Sequence, residues 1–342
     1  MSPRILTAID CFSGAGGLSI GFVDAGFDIR YAFDLDSTSI DTYRQNIGPH
    51  AEVSSIYDVS RLSMEKFLGE TLGEIDVVFG GPPCQGFSVQ RRGSDVDSRN
   101  DLVMEFARLV FDIRPRFFVM ENVGGLLAPR GVDVMRELRA ACESQGYYLH
   151  IKKLDASLYG VPQFRKRVFI VGERWESGLL RFTFPEPYVS NGNVTTVRDA
   201  IEDLTDRSEG DVPNHRSDKL SPINIERIRW VKEGQGRDSL PDHLQLNCHR
   251  TNSRHRHLDV YGRMSWDKPA PTITARFDSF SRGRFGHPVL DRTITLREGA
   301  RLQTFKDDFI FQGTKTEVAK QIGNAVPPIL ARALAERIKN CI

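Results

Sequence analysis

The sequence predicts an α/β fold: a mostly parallel sheet covered on both faces, joined to a smaller, loop-rich second domain. Three features carry the prediction. Short apolar runs alternate with stretches of helical spacing through the first half of the chain. Several of those runs end in conspicuous polar segments. Near Phe184 the texture shifts to Pro, Gly, Asn, Arg and His with few long apolar runs.

The alternation begins with an apolar run over residues 5–12, a glycine-rich turn, and an amphipathic stretch over residues 18–25. Further runs follow at residues 29–33, 75–79 (IDVVF) and 117–120 (FFVM). Between the last two, Leu102, Phe106, Leu109 and Val110 fall on one face of a helix over residues 101–113, and residues 132–145 repeat the pattern. Strands alternating with helices build parallel sheets buried on both faces. One helix, over residues 224–231, interrupts the irregular stretch. Helical spacing returns at residues 329–338, after Pro327 and Pro328, which suit a helix start. The expected division is 1–183 plus 293–342 for the α/β domain and 184–292 for the second domain.

Composition bounds the partners. Forty per cent of residues are hydrophobic and 27% charged, ordinary for a globular protein. No apolar run approaches the ~20 residues of a membrane helix. The N-terminal MSPRILTAIDCF has no secretory pattern, so an intracellular, cytoplasmic protein without a membrane partner is expected. Five cysteines without CxxC spacing argue against a disulfide framework and leave room for one functional thiol. The net charge is +1, but residues 1–150 carry −7 and the remainder +8. Residues 243–292 hold nine Lys/Arg against four Asp, with five of the eight histidines. That asymmetry suits a catalytic core joined to a polyanion-facing module. His243, Cys248, His249, His255 and His257 match no common zinc spacing, and no metal is expected.

Five motifs carry the chemistry. DCFSGAGG (10–17) stands between a strand and a helix, where glycines let a ligand approach the backbone closely. Asp34 and Asp36 follow about 20 residues on, at the end of the next strand, where an acid commonly binds ribose. Strict GxGxxG spacing is absent, because Ser19 occupies the last position. GGPPCQGFS (80–88) places Cys84 in a loop stiffened by proline after a buried strand. ENV (121–123) puts a carboxylate directly after the FFVM strand. In QFRKR (163–167), alternation directs Arg165 and Arg167 to one face of a strand. QIGNAVPP (321–328) precedes the last helix. Each alone also reads as ordinary structure: a tight turn, a buried thiol, a loop cap, a solvent-facing strand, a helix cap.

Together, and in this order, the motifs closely resemble the cytosine-C5 DNA methyltransferase family. RDAIEDL (198–204) and REGARLQTF (297–305) look like its later blocks, so the resemblance spans residues 5–339. It departs at Cys11, where the family often has leucine, and at Leu35, where a bulkier aromatic is common. The resemblance implies a Rossmann-like, S-adenosylmethionine-dependent sheet with a target-recognition domain. It implies methyl transfer to C5 of a flipped-out cytosine in double-stranded DNA.

Cys84 would attack C6, making C5 enamine-like. Protonated Glu121 would meet the charge developing at N3, and Asn122 would fix the ENV loop. Arg165 and Arg167 would face Cys84 and the base. The group that removes the C5 proton is left open. By the same resemblance Phe12, Ser13, Gly14, Ala15, Gly16, Gly17, Leu18, Asp34, Leu35, Asp58, Val59, Pro83, Leu102, Asn324 and Ala325 would form the cofactor pocket. DNA contacts would come from Gln85, Ser88, Arg91 and Arg92 in a closing loop, and from Arg276, Arg282 and Arg284. A monomer, working beside a cognate restriction endonuclease on nucleoid DNA in a bacterial cytoplasm, is the expected setting. Two alternatives stay open: an RNA cytosine-C5 methyltransferase, and a non-catalytic, cofactor-sensing DNA-binding protein.

Overall fold

The computed structural model describes residues 4–83, 101–175, 180–189, 193–247 and 259–342. Two compact units divide the chain. The first comprises Met1–Asp155, Lys166–Pro187 and Val326–Ile342; the second comprises Ala156–Arg165 and Tyr188–Ala325.

The first unit is built on a seven-stranded sheet in the order β3-β2-β1-β4-β5-β7-β6. The strands are β1 (Leu6–Cys11), β2 (Phe27–Asp34), β3 (Ala51–Val53), β4 (Val77–Gly80), β5 (Phe117–Asn122), β6 (Tyr147–Asp155) and β7 (Lys166–Arg174). β1 to β5 pair in parallel, and β7 runs antiparallel between β5 and β6. The doubly wound α/β expectation holds, with a Rossmann-like order. The strand order reverses between β1 and β4, and ligands of such sheets bind in the crevice at that switch point. The glycine-rich turn follows β1, and residues 81–83 follow β4.

Both faces of this sheet are covered. Val78 packs in a cluster with Ile9, Phe118 and Met120 and with Val103, Phe106 and Val110 of α4 (Asp101–Ile113). Its neighbour Phe79 points to the other face and stacks on Phe22 of α1 (Gly17–Asp24), ring centroids 4.1 Å apart. Each buried ring contributes about 1.5–3 kcal/mol. The remaining helices of the unit are α2 (Ser37–Asn46), α3 (Arg61–Leu68), α5 (Val132–Ser144) and a final α10 (Pro328–Lys339). α1 and α10 cross closely at Gly21, where an added Cβ would lie 2.5 Å from that of Ala331.

The second unit is mostly irregular, with short helices α6 (Val197–Ile201), α7 (Pro222–Trp230), α8 (Leu296–Leu302) and α9 (Lys315–Asn324). A cluster of Ile228, Val231, Leu240, Leu244, Tyr261 and Phe280 forms one core. Buried Arg263 substitutes for a strand ladder there: Nε donates to the carbonyls of Ile228 and Val231, and Nη1 to His287.

This division differs from the expected one. Residues 293–325, expected with the α/β domain, pack in the second unit, as does the short segment 156–165. The reason is local bonding. Gln163 is fully buried and donates to the Leu302 carbonyl and Gln303 Oε1, which ties its segment to α8. No helix among the described residues is long and apolar enough to cross a membrane.

Candidate active site

The turn after β1 is held in a left-handed path. Phe12, Gly14 and Gly16 all have positive φ, of 58°, 52° and 95°. Such a conformation at a non-glycine residue is costly and is sustained only by its surroundings. Ser13 N donates to the Phe33 carbonyl, and Gly14 N to Asp34 Oδ2 at 2.9 Å. The other Asp34 oxygen accepts from Asp36 N at 2.9 Å, and Asp36 caps α2 through Ser39 N. Asp34 therefore pins the turn as well as standing at the strand end where a ribose would bind. Phe12 packs on Phe33, centroids 5.9 Å apart. Gly17 and Leu18 open α1, with Ala15, Gly16, Gly17 and Leu18 buried.

Leu35 is 72% exposed. Asp58 is exposed, whereas Val59 is buried in the core, so only its backbone is available to a ligand. Arg108 on α4 fixes that turn by donating Nη2 to the carbonyls of Ile56 (2.8 Å) and Val59 (3.1 Å). Sequence reasoning missed Arg108, because an arginine on the flank of an amphipathic helix reads as solvated surface. Leu102 is half-buried against the core.

The end of β5 holds the approach to the cysteine loop. Asn122 is buried and donates Nδ2 to the Pro82 carbonyl at 3.1 Å, while its own Oδ1 accepts from Val123 N. A Cβ added at Gly81 would lie 3.3 Å from Glu121 Oε2, so the backbone of the GGPP segment passes close to the carboxylate. Glu121 Oε1 pairs with Arg167 Nε at 3.0 Å, both side chains mostly buried. The register explains the pair: Glu121 faces Phe169, and Arg167, two residues earlier on β7, projects from the same face. Pro83 is exposed. Cys84, Gln85, Ser88, Arg91 and Arg92 lie outside the described residues.

Arg165 and Arg167 have different partners. β7 begins at Lys166, and Arg165 belongs to the second unit. Its guanidinium, 1% exposed, donates to the carbonyls of Ile273 (3.0 Å), Gly323 (3.2 Å) and Ala325 (2.9 Å). Gln303 Nε2 donates to the Ile322 carbonyl at 2.6 Å. Gly323 allows the close approach, since a Cβ there would meet the Thr274 carbonyl carbon at 2.2 Å. The GNA segment is thus locked within the second unit, with Asn324 exposed and Ala325 half-buried.

Of the basic residues singled out in the second unit, Arg276 is exposed and pairs with buried Asp278 at 3.0 Å, and Arg284 pairs with Asp259 at 2.8 Å. Arg282 is exposed with no ion pair among the described residues. Cys248, His249, His255 and His257 lie outside the described residues. No cluster of three metal-ligating side chains occurs among the described ones.

The sheet order, the left-handed turn and the Asn122–Glu121–Arg167 arrangement define a methyltransferase-like site, and comparison with known proteins gives its family. The C-5 cytosine-specific DNA methylase family matches residues 6–340, and the chain belongs to that family. It is a DNA (cytosine-5-)-methyltransferase. It is 37% identical over 341 residues to the type II methyltransferase M1.HphI of Haemophilus parahaemolyticus, covering 97% of this chain and 86% of the relative. It is 35% identical to the type II methylase M.HgiDII of Herpetosiphon aurantiacus, covering 97% and 94%. Among solved structures it resembles a DNA modification methyltransferase encoded within an E. coli prophage, with a TM-score of 0.72, 27% identity, and 98% and 99% of the two chains covered. The S. pombe Dnmt2 methyltransferase shares the fold, with a TM-score of 0.63 at 19% identity over 98% and 99% of the two chains.

Proposed function

We propose that the enzyme methylates C5 of a flipped-out cytosine within a specific double-stranded DNA sequence, with Cys84 as nucleophile. The observation that carries this reading is the end of β5. Asn122 grips the Pro82 carbonyl two residues before Cys84, and Glu121 with Arg167 stands beside the same segment. The segment leading to the cysteine thus passes an acid and a cation.

C6 is inaccessible in a stacked duplex, so the base must leave the helix at a cost of a few kcal/mol. The Cys84 thiolate adds to C6, and the C5–C6 pair becomes enamine-like. Negative charge developing at N3 is met by the Glu121 carboxyl, which pairs with Arg167 through Oε1. Arg167 is the better arginine for cytosine O2, because Arg165 is committed to backbone carbonyls. We assign Arg165 to holding the GNA segment, a change from the role expected of it. A base then removes the C5 proton, the C6–sulfur bond breaks, and aromaticity returns.

Bound S-adenosylmethionine supplies the electrophilic methyl group. The turn after β1 suits it: a left-handed backbone a ligand can approach, and a buried Ser13 Oγ without a hydrogen-bond partner among the described residues. Phe12 and exposed Leu35 would flank the adenosyl group. Asp34, at the end of β2, would meet the ribose hydroxyls. The remaining contacts proposed within the first unit are Asp58, the Val59 backbone, Pro83 and Leu102.

Residues 184–292 are proposed as the target-recognition domain, with Arg282, Arg276 and Arg284 meeting phosphates or guanine edges, and Gln85, Ser88, Arg91 and Arg92 closing over the DNA. A monomer acting in the bacterial cytoplasm on nucleoid DNA beside a cognate restriction endonuclease fits the type II names of the relatives. RNA is the less favoured substrate, since the matching family is defined by DNA. Bisulfite sequencing of DNA treated with the enzyme tests the reading: it requires C5 modification within one short motif.

A further inference from the structure

A chain of buried polar side chains runs behind the turn after β1. Asp10, at the end of β1, accepts from Ser19 Oγ on α1 at 2.7 Å. Ser19 Oγ is 2.8 Å from the Tyr43 hydroxyl on α2, and that hydroxyl is 3.2 Å from His50 Nε2. Asp10, Ser19 and Tyr43 are completely buried. Asp10 and Ser19 bracket residues 11–18, so their bond closes the base of the turn. Tyr43 also floors it: a Cβ added at Gly16 would fall 2.9 Å from the Tyr43 ring. His50 is anchored in turn, its carbonyl accepting from Ala32 N on β2 at 3.1 Å.

The bonding is directional, because each hydroxyl has one proton to give. With Asp10 ionised, Ser19 donates to Asp10, Tyr43 to Ser19, and the His50 Nε2–H to Tyr43. Only a proton on Asp10 Oδ2 reverses every bond, ending on an unprotonated Nε2. Burial pushes the Asp10 carboxyl up and the His50 imidazole down. In both arrangements the Tyr43 hydroxyl is the joint. Without it Ser19 loses a buried partner and the chain separates into two halves.

We propose that Tyr43, acting through Ser19 and Asp10, is a positioning residue that sets the shape of residues 12–18 for S-adenosylmethionine. The inference rests on the reading of that turn as the cofactor loop. The Ser19–Asp10 bond closing the turn, and the Gly16 backbone seated on the Tyr43 ring, carry it.

The test uses the full-length enzyme and S-adenosylhomocysteine as calorimetric probe. Tyr43→Phe keeps the ring and removes the hydroxyl; Ser19→Ala removes the bonds to Asp10 and Tyr43 and leaves the ring untouched. Each is expected to raise Kd for the probe about tenfold, the cost of stranding one buried polar group. The double variant should be no worse than the weaker-binding single one, and affinity for DNA should be unchanged. Phe12→Ala serves as the control for the cofactor loop. If Phe12→Ala weakens binding while Tyr43→Phe and Ser19→Ala bind like wild type, the positioning role is overturned and the loop reading stands. If Phe12→Ala is also without effect, both fall. Loss of DNA affinity in step with loss of probe affinity would mean general unfolding and would overturn a specific role. If Tyr43→Phe proves too unstable to purify, Ser19→Ala carries the same comparison.

Discussion

The Asn122 side chain donates to the carbonyl of Pro82 at 3.1 Å and so couples the end of β5 to the backbone two residues before Cys84. The amide is buried and its oxygen is also used, by the backbone of Val123. Asn122→Ala leaves that carbonyl without its donor and frees the approach to the nucleophile. Stranding a buried acceptor costs about 1–3 kcal/mol, or about 5- to 150-fold in rate if the cost falls on the transition state. We expect kcat to fall by that factor with little change in affinity for S-adenosylmethionine, measured by single-turnover methyl transfer.

The two arginines of QFRKR separate by experiment. Arg165→Ala removes a buried guanidinium from three carbonyls and should destabilise the protein by about 3 kcal/mol, seen as a lower unfolding midpoint. Arg167→Ala should leave that midpoint nearly unchanged and reduce methyl transfer at least 100-fold, because its partner is Glu121 rather than the backbone of the second unit. Equal effects of the two variants on stability would contradict this division of roles.

Thiol reactivity offers a pH-based check. Burial pushes the Cys142 thiol up to about 12 and raises those of Cys11 and Cys341. A raised thiol pKa lowers the thiolate fraction below it, to about one part in ten thousand for Cys142 at pH 8. Alkylation at pH 8 should spare these three cysteines and inactivate the enzyme through Cys84. Mass spectrometry of the alkylated protein decides; fast labelling of Cys142 in the native state would count against the structure.

In the second unit Arg282 is exposed and without an ion pair among the described residues, whereas Arg284 is engaged by Asp259. Arg282→Ala should weaken DNA binding and reduce the slope of log affinity against log salt by about one. Arg284→Ala should cost less, part of its charge being already answered. Binding titrations at several salt concentrations distinguish the two.

Much of this was legible in the residues. α4 occupies the residues its apolar spacing marks, and β1, β2, β4 and β5 fall on the apolar runs, because a two-sided parallel sheet demands such runs. Glu121 and Asn122 could be placed at a strand's end from ENV alone. β3, with three residues, has too short a pattern to see. The different partners of Arg165 and Arg167 were not legible, since the carbonyls that hold Arg165 come from distant residues 273, 323 and 325. Nor was the Asp10–Ser19–Tyr43–His50 chain, whose members come from four places and meet only in the fold. Residues 293–325 misled by their motif content, whereas packing through Gln163 and Gln303 decides their unit.

The proposed reaction is methyl transfer to C5 of cytosine in DNA through Cys84. Its most direct test incubates the enzyme and Cys84→Ala with tritiated S-adenosylmethionine and unmethylated bacterial genomic DNA, followed by sequencing of the modified bases. Label is expected at C5 within one short sequence for the wild type and nowhere for the variant. Equal labelling by Cys84→Ala, or label confined to RNA in a parallel reaction, would contradict it.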